Sequence, residues 1–204
     1  MNDRILLVSL KEALPLKERL FTLLDGTSKA KALRYVQEKD QVRSALGSLL
    51  IRAYVGDGVI QRGKRGKPFV EDGPEFNLSH AGDYVGIFIS DEPVGLDIEE
   101  IDRCQLDIVR GAFTKEETTG ILTQEDFALA WTRKESVTKC LGKGIEEPTK
   151  YGLIKEEKDQ YCYQGRSYHV VSVAIDGHII TGAKEGKGAI PMPQRIYVPN
   201  LWTI

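Results

Sequence analysis

The chain has 204 residues, 41% hydrophobic and 28% charged, an ordinary globular composition long enough for one large domain or two small ones. Its formal net charge of −2 supplies no global basic field, so binding to nucleic acid or a membrane surface through bulk charge is excluded and any anion site must be local. The three cysteines, Cys104, Cys140 and Cys162, are odd in number, far apart and without a C-x-x-C pair, which argues against a disulfide framework or structural zinc and fits a reducing cytosol.

In chain order, the start from Met1 to Val8 carries no leader pattern, and nowhere is there an apolar run long enough to cross a bilayer, so a soluble, unexported, cytoplasmic protein is expected. Ile5 to Leu10 reads as a short buried strand, and Pro15 ends whatever follows it. From about Lys29 to Tyr54 a helical period runs, with Val42, Leu46, Leu49, Leu50 and Ala53 on one face and Arg43 and Arg52 elsewhere; Gly56-Asp57-Gly58 stops it. The segment Gln61 to Pro68 concentrates Arg62, Lys64, Arg65 and Lys67 between glycines, which predicts an exposed loop, either a plain solvated turn or a holder of phosphates. Gly58 to Lys64 has the spacing G-x-x-x-x-G-K, but Arg65 stands where a P-loop needs Ser or Thr, and a helix rather than a strand precedes it, so a P-loop is excluded.

Two short strands follow, Glu75 to Leu78 and Tyr84 to Ile89, separated by Ser79-His80-Ala81-Gly82-Asp83 and read as an antiparallel hairpin. That arrangement is expected to bring a Ser79-His80 turn into the sheet neighbourhood of the next strand, Val94 to Glu99. In the latter, alternation sends Val94, Leu96 and Ile98 to one face and Gly95, Asp97 and Glu99 to the other. The two carboxylates either face water or present hard oxygen ligands to a divalent cation. His80 in its Gly-rich surroundings reads as a surface or turn-stabilising residue more readily than as a ligand binder; with His169 and His178 far off, no histidine metal motif exists.

A second half begins near Ile101. Thr114 and Glu117 have the spacing of a capping box, and Thr123 with Asp126 starts a helix through Leu141 that Gly142 and Gly144 end. Phe127, Trp131, Glu135 and Lys139 form one i,i+4 row passing from aromatic to charged, which is either a surface ion pair or a helix entering a cleft with Glu135 and Lys139 at its rim. Beyond Pro148 the chain reads as β-rich, with strands at 161–163, 168–175 and 178–181 and an irregular tail from Gly186. Asp97, Glu99, Glu135, Lys139 and the basic loop around Lys67 fit a magnesium pyrophosphate site, without distinguishing hydrolase, transferase or nucleotide binding.

Gly66-Lys67-Pro68, Asn77-Leu78-Ser79-His80, Val94-Gly95-Leu96-Asp97-Ile98-Glu99, Phe113-Thr114 with Glu117, and Trp131-Thr132-Arg133-Lys134-Glu135-Ser136 followed by Lys139 and Gly142-Lys143-Gly144 resemble, in order and approximate spacing, the Sfp-type 4′-phosphopantetheinyl transferases. The resemblance runs from about residue 30 to 145. It implies an α+β fold of two similar halves, 1–100 and 101–204, related by a pseudo-twofold axis with the site at their interface. It implies a transferase that moves 4′-phosphopantetheine from coenzyme A to a serine of an acyl or peptidyl carrier protein, releasing adenosine 3′,5′-bisphosphate. By the same resemblance Asp97, Glu99 and Glu135 hold Mg2+ on the pyrophosphate of coenzyme A. Lys67, Pro68, Ser79 and His80 bind coenzyme A, with His80 at the 3′-phosphate, Lys31 and Arg43 as further phosphate contacts and Lys139 on the pyrophosphate. The implied catalytic set is Glu135, Lys139 and Glu117, with Glu135, Glu117 or a metal-bound water as base. The implied partners are the carrier protein and coenzyme A, with no nucleic acid, no membrane and a monomeric state. Two departures stand out: Ala81 follows His80 where the family often has serine, and the segment between Glu117 and Trp131 is short. The alternatives are a magnesium-dependent hydrolase or other transferase acting on a phosphorylated small molecule, and a non-catalytic coenzyme A-binding module.

Overall fold

The computed structural model describes residues 3–63, 66–142, 145, 148–186 and 188–203. Lys64 and Arg65 of the basic loop, and Lys143 and Gly144 of the glycine pair, lie outside the described residues. The chain starts with β1 (Arg4–Ser9), the short helices α1 (Leu10–Ala13) and α2 (Lys17–Thr22), α3 (Gly26–Ala32) and the long α4 (Glu38–Tyr54). Then come β2 (Ile60–Arg62), β3 (Pro68–Val70), β4 (Glu75–Ala81), β5 (Tyr84–Ser90) and β6 (Val94–Glu100). Next are α5 (Val109–Ala112), α6 (Lys115–Thr118) and the long α7 (Gln124–Cys140), followed by β7 (Ile154–Glu157), β8 (Gln160–Tyr163), β9 (Arg166–Ile175), β10 (His178–Glu185), β11 (Gln194–Arg195) and a 3-10 helix at Val198–Thr203.

The architecture is α+β with two sheet-containing halves. One sheet runs β11-β1-β5-β4, the other β6-β10-β9-β8-β7, and among the described residues β2 pairs only with β3. Each large sheet carries one 17-residue helix: α4 packs on β5, and α7 on β6 and β10. Alternation explains the layering. Leu6 and Val8 of β1 point to α4, burying with Val42, Leu46, Leu49 and Leu50, whereas Ile5 and Leu7 point the other way and meet Leu96, Ile98 and Ile180. The two sheets therefore share an apolar layer, and β6, leaving β5 through Ser90 to Pro93, turns its Val94-Leu96-Ile98 face into it.

Several expectations change. The period from Lys29 to Tyr54 is two helices, because Leu33, Tyr35 and Val36 are exposed and cannot continue the apolar row; Asp25 caps α3 by accepting from the Ser28 N–H at 2.9 Å. Ser79 and His80 stand within β4 instead of a turn, since β4 and β5 stay paired as far as Ala81 and Tyr84 and only Gly82-Asp83 reverse the chain. The basic segment is partly strand, Arg62 pairing with Pro68. β6 does not join the β4–β5 sheet: it pairs antiparallel with β10, Asp97 opposite Thr181. The strand counted with residues 1–100 thus belongs by hydrogen bonding to the later sheet, and it reaches β4 only across the interface, where the Leu96 N–H donates to Asn77 Oδ1 at 2.8 Å. β7 is an exposed edge strand without an apolar pattern to announce it. The tail after Gly186 returns to the first half: β11 pairs parallel with β1, and Val198 and Leu201 are wholly buried there.

Candidate active site

The site begins with a close approach. A Cβ on Gly95 would land on the Ser136 carbonyl oxygen and lie 2.6 Å from the Cys140 nitrogen, both backbone atoms of α7. Only glycine lets the helix sit this low on β6. Capping boxes at Thr114/Glu117 and Thr123/Asp126 set the helix starts as the sequence predicts. The far end of α7 is anchored by Phe127, stacked on Trp131 with centroids 6.2 Å apart and edge-on to Phe113 at 5.7 Å. Glu135 and Lys139 then fall beside Asp97 and Glu99, and Gly142, with φ of 65°, takes the left-handed position just past the helix end.

The result is a cavity of about 330 Å³ lined by Leu78, Ser79, His80, Asp97, Ile98, Glu99, Trp131, Glu135 and Lys139. Asp97, 3% exposed, is paired with the Lys139 ammonium at 2.5 Å and accepts from Ser79 Oγ at 3.2 Å through the same Oδ1. Its Oδ2 is buried without a hydrogen-bond partner. Lys139 also faces Glu135 at 3.7 Å. Burial pushes the Asp97 carboxyl above the usual range, against the opposing pull of Lys139. Burial, then the Asp97 charge, with Glu135 adding to it, push Glu99 up to about 7 although Lys139 opposes them. Burial likewise raises Glu135, with Lys139 opposing and Asp97 adding. Burial alone would lower Lys139, but Asp97, Glu135 and Glu99 together outweigh it and leave its pKa raised. Three crowded carboxylates thus share one ammonium, which leaves an excess of negative charge that a divalent cation suits.

The three carboxylates line one cavity, but among the described residues no group of three or more His, Cys, Asp or Glu side chains is gathered closely enough to hold a metal ion. The Lys139 ammonium instead contacts both Asp97 and Glu135.

A second cavity, about 300 Å³, adjoins the first through Leu78, Ser79 and His80. It is lined by Lys31, Arg43, Pro68, Ser79 and His80 among the expected residues, and also by Tyr35, Asp40, Ser44 and Arg62. Arg43 pairs with Asp40 at 2.5 Å and donates to the Gly82 carbonyl at 2.9 Å, while its Nε and the Ser44 hydroxyl are buried without partners. His80, exposed at its outer edge, is held below the usual imidazole range first by the atoms crowding it and then by the Arg43 charge.

Two expected residues are elsewhere. Lys67 lines neither cavity; its ammonium donates to the Val94 carbonyl at 3.1 Å and faces Glu75 at 3.5 Å, fastening β3 to β6. Glu117 lies on the other side of α7. One of its oxygens caps Thr114 at 2.8 Å and pairs with the fully buried Lys134 at 2.9 Å, and the other accepts from the Leu153 N–H at 2.8 Å. These contacts are those of a capping and helix-bracing residue, and Glu117 does not line the cavity that holds Glu135 and Lys139. Trp131, Asp40, Ser44 and Arg62 line the cavities without having been singled out for it. Trp131 was visible in the i,i+4 row and Arg62 in the basic run, whereas nothing local marks Ser44.

Two family descriptions match successive parts of the chain: "4′-phosphopantetheinyl transferase, N-terminal" over residues 17–91 and "4′-phosphopantetheinyl transferase superfamily" over residues 93–167. The transferase ffp of Bacillus subtilis is 32% identical over 159 residues, covering 70% of each chain. The chain belongs to the 4′-phosphopantetheinyl transferase superfamily, of Sfp type. The 4′-phosphopantetheinyl transferase gsp of Aneurinibacillus migulanus is 34% identical over 156 residues, 69% of this chain and 66% of that protein; Sfp of Bacillus subtilis (strain 168) is 29% identical over 158 residues, 70% of each. The alignments thus span about two thirds of these 4′-phosphopantetheinyl transferases' own length. The junction of the two family regions falls between β5 and β6, where the chain leaves one sheet for the other. Among the described residues no helix is long and apolar enough to cross a membrane.

Proposed function

We propose that the protein transfers 4′-phosphopantetheine from coenzyme A to a serine hydroxyl of an acyl or peptidyl carrier protein and releases adenosine 3′,5′-bisphosphate. The observation that carries this reading is the junction of two unlike cavities at Ser79-His80, one cationic and one rich in carboxylates with a single ammonium, in a chain of this family. A ligand with a phosphate at one end and a pyrophosphate some way along matches that pair. Arg43, His80 and Lys31 bind the nucleotide end, and Ser79 lies against both parts. Lys139 stabilises the charge that develops on the pyrophosphate as the bond to the leaving phosphate breaks. Glu135, its carboxyl raised by burial, takes the proton from the serine hydroxyl.

Asp97, Glu99 and Glu135 are the residues that would hold Mg2+ if they drew closer together than they stand here; the unpartnered, buried Asp97 Oδ2 and the surplus of carboxylates over ammonium support the assignment. Bound there, the ion neutralises pyrophosphate charge. It would compete with Lys139 for Asp97. The reading includes a monomer in a reducing cytosol, without a nucleic-acid or membrane partner; the formal net charge of −2 and the three widely spaced cysteines of the sequence support it.

The test is intact-mass spectrometry of a panel of apo carrier proteins incubated with the protein, coenzyme A and magnesium. A carrier should gain one phosphopantetheine, and Asp97→Ala should cut the rate by about 10²-fold or more while keeping the circular dichroism of the wild type. Coenzyme A cleaved without any carrier would favour the hydrolase, binding without turnover would favour the coenzyme A-binding module, and a fully active Asp97→Ala protein would remove the carboxylate assignment.

A further inference from the structure

The basic run before Pro68 sends its charge to the nucleotide cavity by a residue other than the one the motif suggests. Lys67 is turned away to the Val94 carbonyl and Glu75. Arg62, the last residue of β2, lines the cavity that Lys31 of α3 lines too. One of its amino groups, Nη1, donates to the Gly66 carbonyl at 2.9 Å, which holds the guanidinium across the mouth of the β2–β3 loop while leaving other donors of the fork for a ligand.

The charge balance calls for an anion. Among the described residues lining the cavity, Lys31, Arg43 and Arg62 face a single carboxylate, Asp40, which already pairs with Arg43. Burial and, next, the Arg62 charge draw Lys31 below its usual range, the mark of two like charges near one space. The unpartnered Arg43 Nε and Ser44 hydroxyl add buried donors in the same wall. The neighbouring cavity, with Asp97, Glu99 and Glu135, repels a bare phosphate and suits a metal-bound pyrophosphate, so the group drawn to Lys31 and Arg62 is the other phosphate of the substrate.

Resting on the proposed coenzyme A reading, we propose that Arg62 is a substrate-binding residue that joins Lys31 in holding the 3′-phosphate and thereby sets the preference for coenzyme A over its 3′-dephospho form. The experiment is equilibrium titration of the full chain, without carrier, with coenzyme A and with 3′-dephospho-coenzyme A, for wild type, Arg62→Gln and Arg62→Lys. Losing one charge-assisted contact should weaken coenzyme A binding about tenfold in Arg62→Gln, change 3′-dephospho-coenzyme A by less than about twofold, and be partly recovered in Arg62→Lys. Because Arg62 is exposed, thermal unfolding of the variants should match wild type. Equal losses with both ligands, or unchanged coenzyme A binding, would overturn the assignment, as would a wild type that binds no coenzyme A. A wild type that binds coenzyme A yet modifies no carrier would remove the transferase reading and leave the Arg62 result standing.

Discussion

Asp97, Glu99 and Glu135 are each held above the usual carboxylate range by burial, with repulsion from neighbouring carboxylates added at Glu99 and Glu135. A carboxyl whose folded pKa is raised binds more protons folded than unfolded, so its contribution to stability is present below the unfolded value and is lost as pH rises through the folded one. For Glu99 the window runs from the ordinary 4.5 to about 7. In the absence of magnesium the midpoint of thermal unfolding should fall between pH 5 and pH 8 in consequence, and Glu99→Gln should flatten that slope, which differential scanning fluorimetry across the range reads directly. Magnesium should raise the midpoint more at the alkaline end, where no proton competes with it. A flat wild-type profile would show that the crowding is relieved in solution. At this scale the sequence was informative where residue chemistry repeats a strand or helix period, as for Asp97 with Glu99 and Glu135 with Lys139. It was silent where one side chain has two sufficient uses. The capping spacing of Thr114 and Glu117 and the charge of Lys67 are genuine, but which neighbour each finds depends on packing no local pattern records.

The pairing of β6 with α7 is the element on which the site depends, and Gly95 is where it can be broken. In Gly95→Ala the new methyl meets backbone oxygen and nitrogen of α7, which cannot rotate away as a side chain could. The helix must lift, so we expect destabilisation of about 1–3 kcal/mol or more and a loss of carrier modification even at temperatures where the variant is folded, because Glu135 and Lys139 ride on the same helix. Gly111→Ala is the control: its Cβ would meet open space in α5, and helix propensity predicts stabilisation of about 0.5–1 kcal/mol. Thermal melts and the mass assay on both variants separate close approach from glycine flexibility. The alternating pattern of Val94 to Glu99 made the strand and its two faces legible in advance. It could not say which sheet β6 joins, since the hydrogen bonds to β10 are made with a segment about 80 residues later, and pairing partners leave no periodic trace. For the same reason the break between α3 and α4 was missed: apolar Leu33, Tyr35 and Val36 look like helix filler in one dimension and are exposed in three.

Across the whole molecule the two halves are joined twice, once by the β5–β6 connection and once by the returning tail. Val198 and Leu201 are 0% exposed in the core under α4, and Ile196 donates its N–H to the Leu7 carbonyl at 2.9 Å. Burial of two such side chains is worth about 1.5–3 kcal/mol each, against a total stability of about 5–15 kcal/mol for a domain. Ending the chain after Pro193 should lower the urea midpoint of unfolding markedly although no cavity residue is removed; an unchanged midpoint would show that the tail is a passive cover.

The returning tail also bears on how the protein is made. β1 leaves the ribosome long before β11, yet they are neighbours in one sheet. Until residue 195 has been synthesised, the Leu6-Leu7 edge of β1 is open to whatever strand it meets. A nascent chain that stops short of residue 195 would therefore be sticky where the folded protein is sealed, and chaperone demand should persist until that residue has emerged.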